Sequence, residues 1–282
     1  MKKAKLTKIL LLAAGSCALF SCAGNNDSKD IDSESDFLEV ASASSLKIAS
    51  INVLSHKLKS ADTATSGASV KLSIYNNDNC TATGKVTYEG KDYSLGGIVY
   101  NVSYGEDKTQ EFYIDTQTKK GVAYDDSGDY LWYVEMVKEL IKEEYEDIRT
   151  IYDGFKSYIG KSAEELGYTS YTLRRSVAAN VAGYVFHSFQ KDGTSEIETY
   201  RYITLDKKNG SWVFTSYSER IATTTIDDKG YSSTVYDVSE ATFETVDSYS
   251  DLVINLSDYM ISGETTSGDS LDIPSTGVLS EK

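Results

Sequence analysis

The chain has 282 residues, with 43 acidic and 28 basic side chains and a formal net charge of −15. This balance argues against binding to nucleic acid or to anionic lipid headgroups through a general basic surface, so we predict no nucleic-acid partner. A hydrophobic content of 40% supports a packed core. One proline, 22 tyrosines and 20 glycines are typical of a β-rich chain with glycine turns.

The first 21 residues have the pattern of a secretory signal. Four lysines open the chain and an apolar stretch follows at residues 9–20, which is too short to span a bilayer. The next feature is Leu19-Phe20-Ser21-Cys22, which resembles the bacterial lipobox. The resemblance implies cleavage before Cys22, diacylation of its thiol, and anchorage outside the cytoplasm to a bacterial cell membrane or outer membrane. Two acyl chains are enough for stable anchorage.

Two alternatives to this lipobox stay open. One is a lipobox at Ala14-Gly15-Ser16-Cys17, which would leave a shorter apolar stretch. The other is an ordinary cleaved signal peptide. With Cys17 removed and Cys22 acylated, Cys80 would have no partner for an intrachain disulfide, and we predict that it is a buried apolar residue.

Composition divides the chain into four parts: a signal peptide at residues 1–21, an acylated disordered tether at 22–44, a β-rich domain at 45–260 with a helical insert at 131–167, and a flexible tail at 261–282. The tether is polar and acidic, so it buries too little apolar surface to offset the entropy cost of ordering. Its alternating carboxylates lack the glycine of a calcium-binding loop, and no metal site is predicted there.

Predicted elements follow in chain order. Residues 46–58 have a helical spacing of apolar positions, with a strand as the alternative. Period-two patterns predict strands at 70–75, 83–88, 93–104, 111–116 and 121–124, and the short turns between them favour an antiparallel meander.

The strongest helical pattern follows, at residues 134–159. Apolar residues recur there every three or four positions opposite a charged face, which indicates one long amphipathic helix or two consecutive helices. Ser162 and Glu165 have the spacing of a capping box that starts a further helical turn.

A second block of strands is predicted at 171–176, 183–190, 196–206, 212–225, 231–238, 241–246 and 252–258. Asn209-Gly210 is the best hairpin turn in the chain, because both residues tolerate positive φ.

No catalytic signature accompanies these elements. The two histidines, His56 and His187, lie on different segments without a cysteine or a paired acid nearby in sequence, so we predict no catalytic residue, metal or cofactor. Residues 154–162 resemble a phosphate-binding loop, but with one residue too many and after a helix instead of a strand.

Residues 45–258 are similar in element order to envelope lipoproteins with a LolA-like open barrel. The strand Tyr202-Ile-Thr-Leu-Asp206, the turn at 207–210 and Trp212-Val213-Phe214 resemble a recurrent hairpin of that group. The resemblance implies an α+β fold, mainly antiparallel β, in which a curved sheet or open barrel packs on a central amphipathic helix pair and holds a lipid or acyl group on its concave side.

Three functions stay open. The first is a non-enzymatic, membrane-anchored lipoprotein that binds a lipid or another amphipathic ligand beside the 134–159 helix, with candidate ligand-binding residues Tyr100, Tyr104, Tyr145, Tyr152 and Phe155. The second is a glycan- or protein-binding module that uses exposed tyrosines. The third is a hydrolase with two converging carboxylates that no motif identifies.

Overall fold

Alternating apolar and polar residues build most of this chain into one antiparallel sheet. The computed structural model describes residues 28–59, 66–88, 91–104, 108–124 and 131–262. Cys22, with the rest of the N-terminal segment to residue 27, and the predicted tail from residue 263 lie outside these ranges.

The described residues contain thirteen strands and one α-helix, together with short 3-10 helices and turns. The N-terminal half contains β1 to β7: Lys29–Asp30, Lys47–Lys59, Ser66–Ile74, Cys80–Tyr88, Lys91–Tyr104, Lys108–Asp115 and Lys120–Tyr124. The helix α1 spans Leu131–Lys156. The C-terminal half contains β8 to β13: Ser170–Val177, Val181–Asp192, Ser195–Lys208, Ser211–Ile226, Ser232–Val246 and Met260–Ser262.

The strands form a single open, curved sheet in the order β1-β8-β9-β10-β11-β12-β2-β3-β4-β5-β6-β7-β13. Neighbours are antiparallel except β13, which pairs with β7 in parallel. The two meanders join where β12 pairs with β2. Two short strands, β1 and β13, pair with the outer strands of the meanders and cover edges that would otherwise be open to intermolecular pairing.

Successive antiparallel strands reverse direction, so the sheet has two distinguishable ends. The turns at 178–180 and 209–210 lie at the end near α1, which we call the helix end. The turns at 193–194 and 227–231 lie at the opposite end, which we call the distal end. Asn209 (φ 48°) and Gly210 (φ 84°) close the β10–β11 hairpin with positive φ at both turn positions, which confirms the predicted turn.

Helix α1 buries one continuous face against the sheet. Residues at spacings of three and four are almost completely inaccessible to solvent: Val134, Val137, Ile141, Tyr145, Ile148, Tyr152 and Phe155. The prediction of a helix pair is wrong, because α1 is the one α-helix in the described part of the chain. After Lys156 the chain makes turns with short-range backbone bonds, and Gly160 (φ +72°) takes a conformation that does not continue a helix.

The turns after α1 keep the predicted capping contacts without a helix. The Ser162 N–H donates to Glu165 Oε2 (2.7 Å) and the Glu165 N–H donates to Ser162 Oγ (3.2 Å). These two bonds close one turn, at residues 163–167.

Residues 46–58 form a strand, β2, and not the predicted amphipathic helix. Ile51 and Val53 are buried while Asn52 between them is exposed, which is the alternation of a strand. Pairing with both β12 and β3 decides the conformation, and tertiary context of this kind overrides a helical spacing of apolar residues.

The predicted strand at 252–258 is also absent. Leu256 instead starts a short 3-10 helix, Leu256–Asp258, and packs on Ile98, Tyr100, Phe112 and Ile114. Val99, between Ile98 and Tyr100, belongs to the main core around α1. Because side chains alternate along a strand, the Tyr100 cluster lies on the sheet face opposite the helix.

Residues 28–46 pack on the fold, and we call them the N-terminal strap. Val40 and Ala43 are buried in the main core, and Asp36 is 4% exposed. The prediction of a disordered tether through residue 44 therefore does not describe residues 28–44. Their backbone polar groups are bonded to side chains far away in sequence, a set of partners that composition does not reveal.

Candidate functional site

The structure brings three of the five candidate ligand-binding residues together. Tyr145, Tyr152 and Phe155 lie along the buried face of α1, each no more than 1% exposed. Tyr100 packs in the cluster on the opposite sheet face. Tyr104 ends β5, and the position of its side chain lies outside the described part of the chain.

The hydroxyl groups of Tyr145 and Tyr152 bind the N-terminal strap. Tyr152 Oη donates to the Leu38 carbonyl (3.1 Å) and accepts from the Leu38 N–H (2.9 Å). Tyr145 Oη donates to the Ala41 carbonyl (3.2 Å) and accepts from the Phe214 N–H (3.1 Å). Burial raises the pKa of the Tyr145 hydroxyl to about 12. These residues therefore hold a segment of the same chain in place.

An ion-pair cluster fixes the start of the strap. The Asp36 carboxylate lies 2.7 Å from both Lys29 Nζ and Arg175 Nη2. The Asp36 carbonyl accepts from Arg175 Nη1 (2.8 Å) and from Tyr184 Oη (2.9 Å). Lys29, helped by the Asp32 N–H and Arg175, lowers the pKa of the Asp36 carboxyl to about 2.

A half-open groove remains where the strap, the end of α1 and the edge strand β8 meet. Its volume is about 220 Å³, and its lining comprises Asp30, Ile31, Tyr158, Ile159, Gly160, Tyr171, Thr172 and Leu173. Sites that enclose whole drug-sized ligands usually measure about 300–1,000 Å³. The groove is therefore suited to part of a molecule, such as a short stretch of acyl chain or one sugar ring.

Aromatic rings form the wall of this groove. Tyr158 and Tyr171 meet edge to face with ring centroids 6.3 Å apart, and both contact Phe186, at 5.3 and 6.3 Å. Tyr171 Oη donates to the carbonyls of Tyr158 (3.1 Å) and Lys161 (2.7 Å), which ties the turns after α1 to β8. The rings are fixed before any ligand binds.

Arg201 lies behind the aromatic wall. Its guanidinium is 5.8 Å from the centre of the Phe186 ring and is paired with Glu219, with both side chains mostly buried. Because Glu219 already neutralises Arg201, this cation is not available to an anionic ligand.

The residues that line the groove were not among the predicted ligand-binding residues. Tyr158 lies three residues after Phe155, so it continues the helical spacing of the predicted residues. Ile31 lay in the predicted tether, and no local pattern indicated that it would line a groove.

A second depression, of about 350 Å³, lies over β12, β2 and β3 and is lined by Ser50, Asn52, Lys71, Thr242, Phe243 and Glu244. Most of these are polar side chains, and Ser50 Oγ donates to Glu244 Oε2 (3.1 Å). This surface offers little apolar area to a ligand.

A row of rings lies on the outer face of β9 and β10. The His187 and Tyr200 rings stack with centroids 4.1 Å apart, and Tyr202 continues the row. Glu198 Oε1 is 3.0 Å from His187 Nε2 and accepts from Tyr200 Oη (2.9 Å). The structure thus gives His187 an acidic partner from the neighbouring strand, at a sequence separation of eleven.

The described residues contain no group of three or more His, Cys, Asp and Glu side chains that could hold a metal ion. Within the same ranges, no helix combines the length and the apolarity needed to cross a bilayer. Cys80 is buried, and burial raises the pKa of its thiol to about 12.

Comparisons with protein-family models, with curated proteins and with solved structures give no match. The resemblances to lipobox lipoproteins and to LolA-like open barrels therefore stay predictions.

Proposed function

We propose that this protein is an extracytoplasmic lipoprotein, anchored through acyl chains on Cys22, that binds a lipid or another amphipathic ligand without chemically altering it. The observation that carries the proposal is the half-open groove of about 220 Å³ with fixed aromatic walls, next to the strap. An apolar part of the ligand would lie against Ile159 and Leu173, and its polar part would remain in solvent at the open side.

The experiment uses the full acylated chain, solubilised in detergent, and a fluorescent fatty acid as the probe. The fatty acid is titrated into the protein at concentrations below the critical micelle concentration of the fatty acid. Ile159→Trp fills the groove and is expected to weaken binding roughly tenfold or more, which corresponds to a loss of at least about 1.4 kcal/mol. The matched control is Val253→Trp, at a valine that is 63% exposed on another segment. Equal affinity in both variants and the native protein would contradict ligand binding in the groove.

Anchorage is tested separately. Mass spectrometry of the native protein should find a chain that begins at residue 22 and carries the mass of acyl groups. A chain that keeps residues 1–21, or an unmodified Cys22, would contradict this part of the proposal.

A second candidate function is glycan binding by the outer-face row of His187, Tyr200 and Tyr202. Parallel rings with a carboxylate at their edge, here Glu198, suit stacking on a sugar ring and hydrogen bonding to its hydroxyl groups. Binding of soluble oligosaccharides that is lost in Tyr200→Ala and kept in Ile159→Trp would favour this function over the first.

A further inference from the structure

We propose that the turn at residues 177–181, between β8 and β9, contacts the same bilayer that holds the acyl anchor. This inference rests on the proposed acylation of Cys22. Its partner is the lipid bilayer itself, recognised through apolar contact.

The turn exposes four apolar side chains in five residues. Val177 is 40% exposed and Val181 is 47% exposed, and Ala178 and Ala179 between them are also exposed. Scattered apolar residues are normal on a protein surface, but a contiguous group at the tip of a hairpin suggests a contact surface.

Backbone bonds hold this turn in shape. The Ala178 N–H donates to the Val181 carbonyl (2.8 Å), and the Lys207 N–H on β10 donates to the Asn180 carbonyl (2.8 Å). The side chains therefore stay exposed without help from a partner. The neighbouring core contacts of β8 and β9 are made by Leu173 and Ala182, which are both buried, so the turn is not needed for the core.

The path of the chain brings the anchor to this turn. Lys29 pairs with Arg175 and Asp30 with Arg174 in antiparallel register, so the N-terminal end of β1 points toward Val177. Cys22 is six residues before Ser28, and six residues span at most about 20 Å when fully extended. With the strap fixed on the domain, the backbone of Cys22 can lie no farther than about 20 Å from the β1–β8 edge.

The adjacent hairpin at the helix end adds side chains that suit a membrane surface. Lys207 and Lys208 are exposed, and Lys207 Nζ is 5.9 Å from the ring centre of Trp212. Amphipathic rings and long basic side chains favour the interface between water and lipid. Asp206 and Asp247 share this end and offset the lysines, so we expect apolar contact to dominate and anionic lipid to matter little.

The opposite end of the sheet offers less apolar surface. Its β11–β12 turn contains the exposed charges Asp227, Asp228 and Lys229, and one exposed ring, Tyr231. The groove lies between the two ends: Leu173 is four residues from Val177, and Tyr171 pairs with Ser188, five residues before Gly193.

The test uses the full acylated protein in phosphatidylcholine vesicles. An environment-sensitive fluorophore is attached through Ala179→Cys, or through Asp228→Cys as the distal control; Cys80 is buried and does not compete for the label. The probe at residue 179 should shift to the blue and be quenched by spin-labelled lipid roughly threefold more than the probe at residue 228, since residue 179 lies in the turn toward which β1 points and residue 228 lies at the distal end. Adding phosphatidylglycerol should change this ratio little.

Two further variants complete the test. Val177→Asp combined with Val181→Asp should return the probe at residue 179 to the level of the distal control, whereas Tyr231→Asp, at a distal residue that is 73% exposed, should not. If the protein floats with the vesicles but the probes at residues 179 and 228 are quenched equally, the inference about the turn is overturned. The proposed anchorage through Cys22 would still stand, because the protein floats. Failure of the protein to float would mean that Cys22 carries no lipid, which refutes the proposed anchorage.

Discussion

Replacing Tyr152 with phenylalanine tests whether the strap is part of the folded domain. The substitution removes one oxygen from a buried site and leaves the ring packing on Phe37, Tyr184 and Phe214 unchanged. The Leu38 N–H can still donate to Tyr184 Oη (3.2 Å), but the Leu38 carbonyl loses the bond from Tyr152.

The expected cost follows from these two bonds. One hydrogen bond contributes about 0.5–1.5 kcal/mol, and a buried group left without a partner costs about 1–3 kcal/mol. Because one of the two groups at Leu38 keeps a partner, we expect a loss of about 1–3 kcal/mol in the free energy of unfolding.

Urea unfolding measures this loss, and amide hydrogen exchange shows where it acts. Exchange should accelerate at residues 36–43 more than in the middle of β10. Tyr231→Phe is the matched control, because Tyr231 is 73% exposed and its hydroxyl is at the surface. A stability loss no larger than that of the control, with unchanged exchange in the strap, would refute the assignment of residues 36–43 to the core structure.

Three other predictions address the helix, the sheet and the strap. Burial, together with Asp147 and Glu143, raises the pKa of Glu144 to about 7, so the folded state holds a proton that the unfolded state loses near pH 4.5. Stability should fall as pH rises from about 4.5 to 7, and Glu144→Gln should flatten this slope and add about 2–3 kcal/mol at pH 8 in urea unfolding, with little effect at pH 4. A Cβ on Gly84 would lie 2.0 Å from the Ser69 carbonyl oxygen at φ +148°, so Gly84→Ala should destabilise by about 3 kcal/mol or more. The control is Gly154→Ala, where the added Cβ would have no atom within 4 Å, so this substitution should stabilise α1 by about 0.5–1 kcal/mol. A similar change in stability for the two substitutions would contradict the described β3–β4 geometry. Because the pKa of the Asp36 carboxyl is lowered, its contribution to stability is present above its ordinary pKa of 3.8 and is lost as pH falls toward 2. Asp36→Asn should therefore remove this dependence of stability on acid pH. The same substitution should make the strap more sensitive to proteolysis at pH 7.

Elements with a strong local signal could be predicted from the sequence. The apolar stripe of α1 and the turn at Asn209-Gly210 follow directly from helix periodicity and from the tolerance of positive φ. The short turns of the first strand block likewise predicted an antiparallel meander, which the sheet confirms.

Elements whose conformation depends on distant pairing partners could not be predicted from the sequence. Residues 46–58 have a helical spacing, but pairing with β12, more than a hundred residues later in the chain, and with the adjacent β3 fixes them as β2. The merging of the predicted strands at 231–238 and 241–246 into β12 has the same origin, because one continuous partner strand supports the whole length.

The candidate residues on the helix show a different limit. Tyr145 and Tyr152 were predicted to bind a ligand because they lie on the 134–159 helix, beside which a lined cavity was expected. In the structure their hydroxyl groups donate to backbone carbonyls of the strap, those of Ala41 and Leu38. A sequence shows that a buried hydroxyl requires a partner, but not whether the chain itself provides it.

The fixed strap also changes what the proposed anchor would do. A disordered tether from residue 22 to 44 would let the domain rotate freely at a distance from the membrane, and no face would be favoured. With residues 28–46 packed on the fold, the anchor would be joined to the β1–β8 edge by a short segment, beside the apolar turn and the groove. The orientation of the domain would then follow from hydrogen bonds such as those at Leu38 and Asp36, so a variant that releases the strap should lose orientation before it loses attachment.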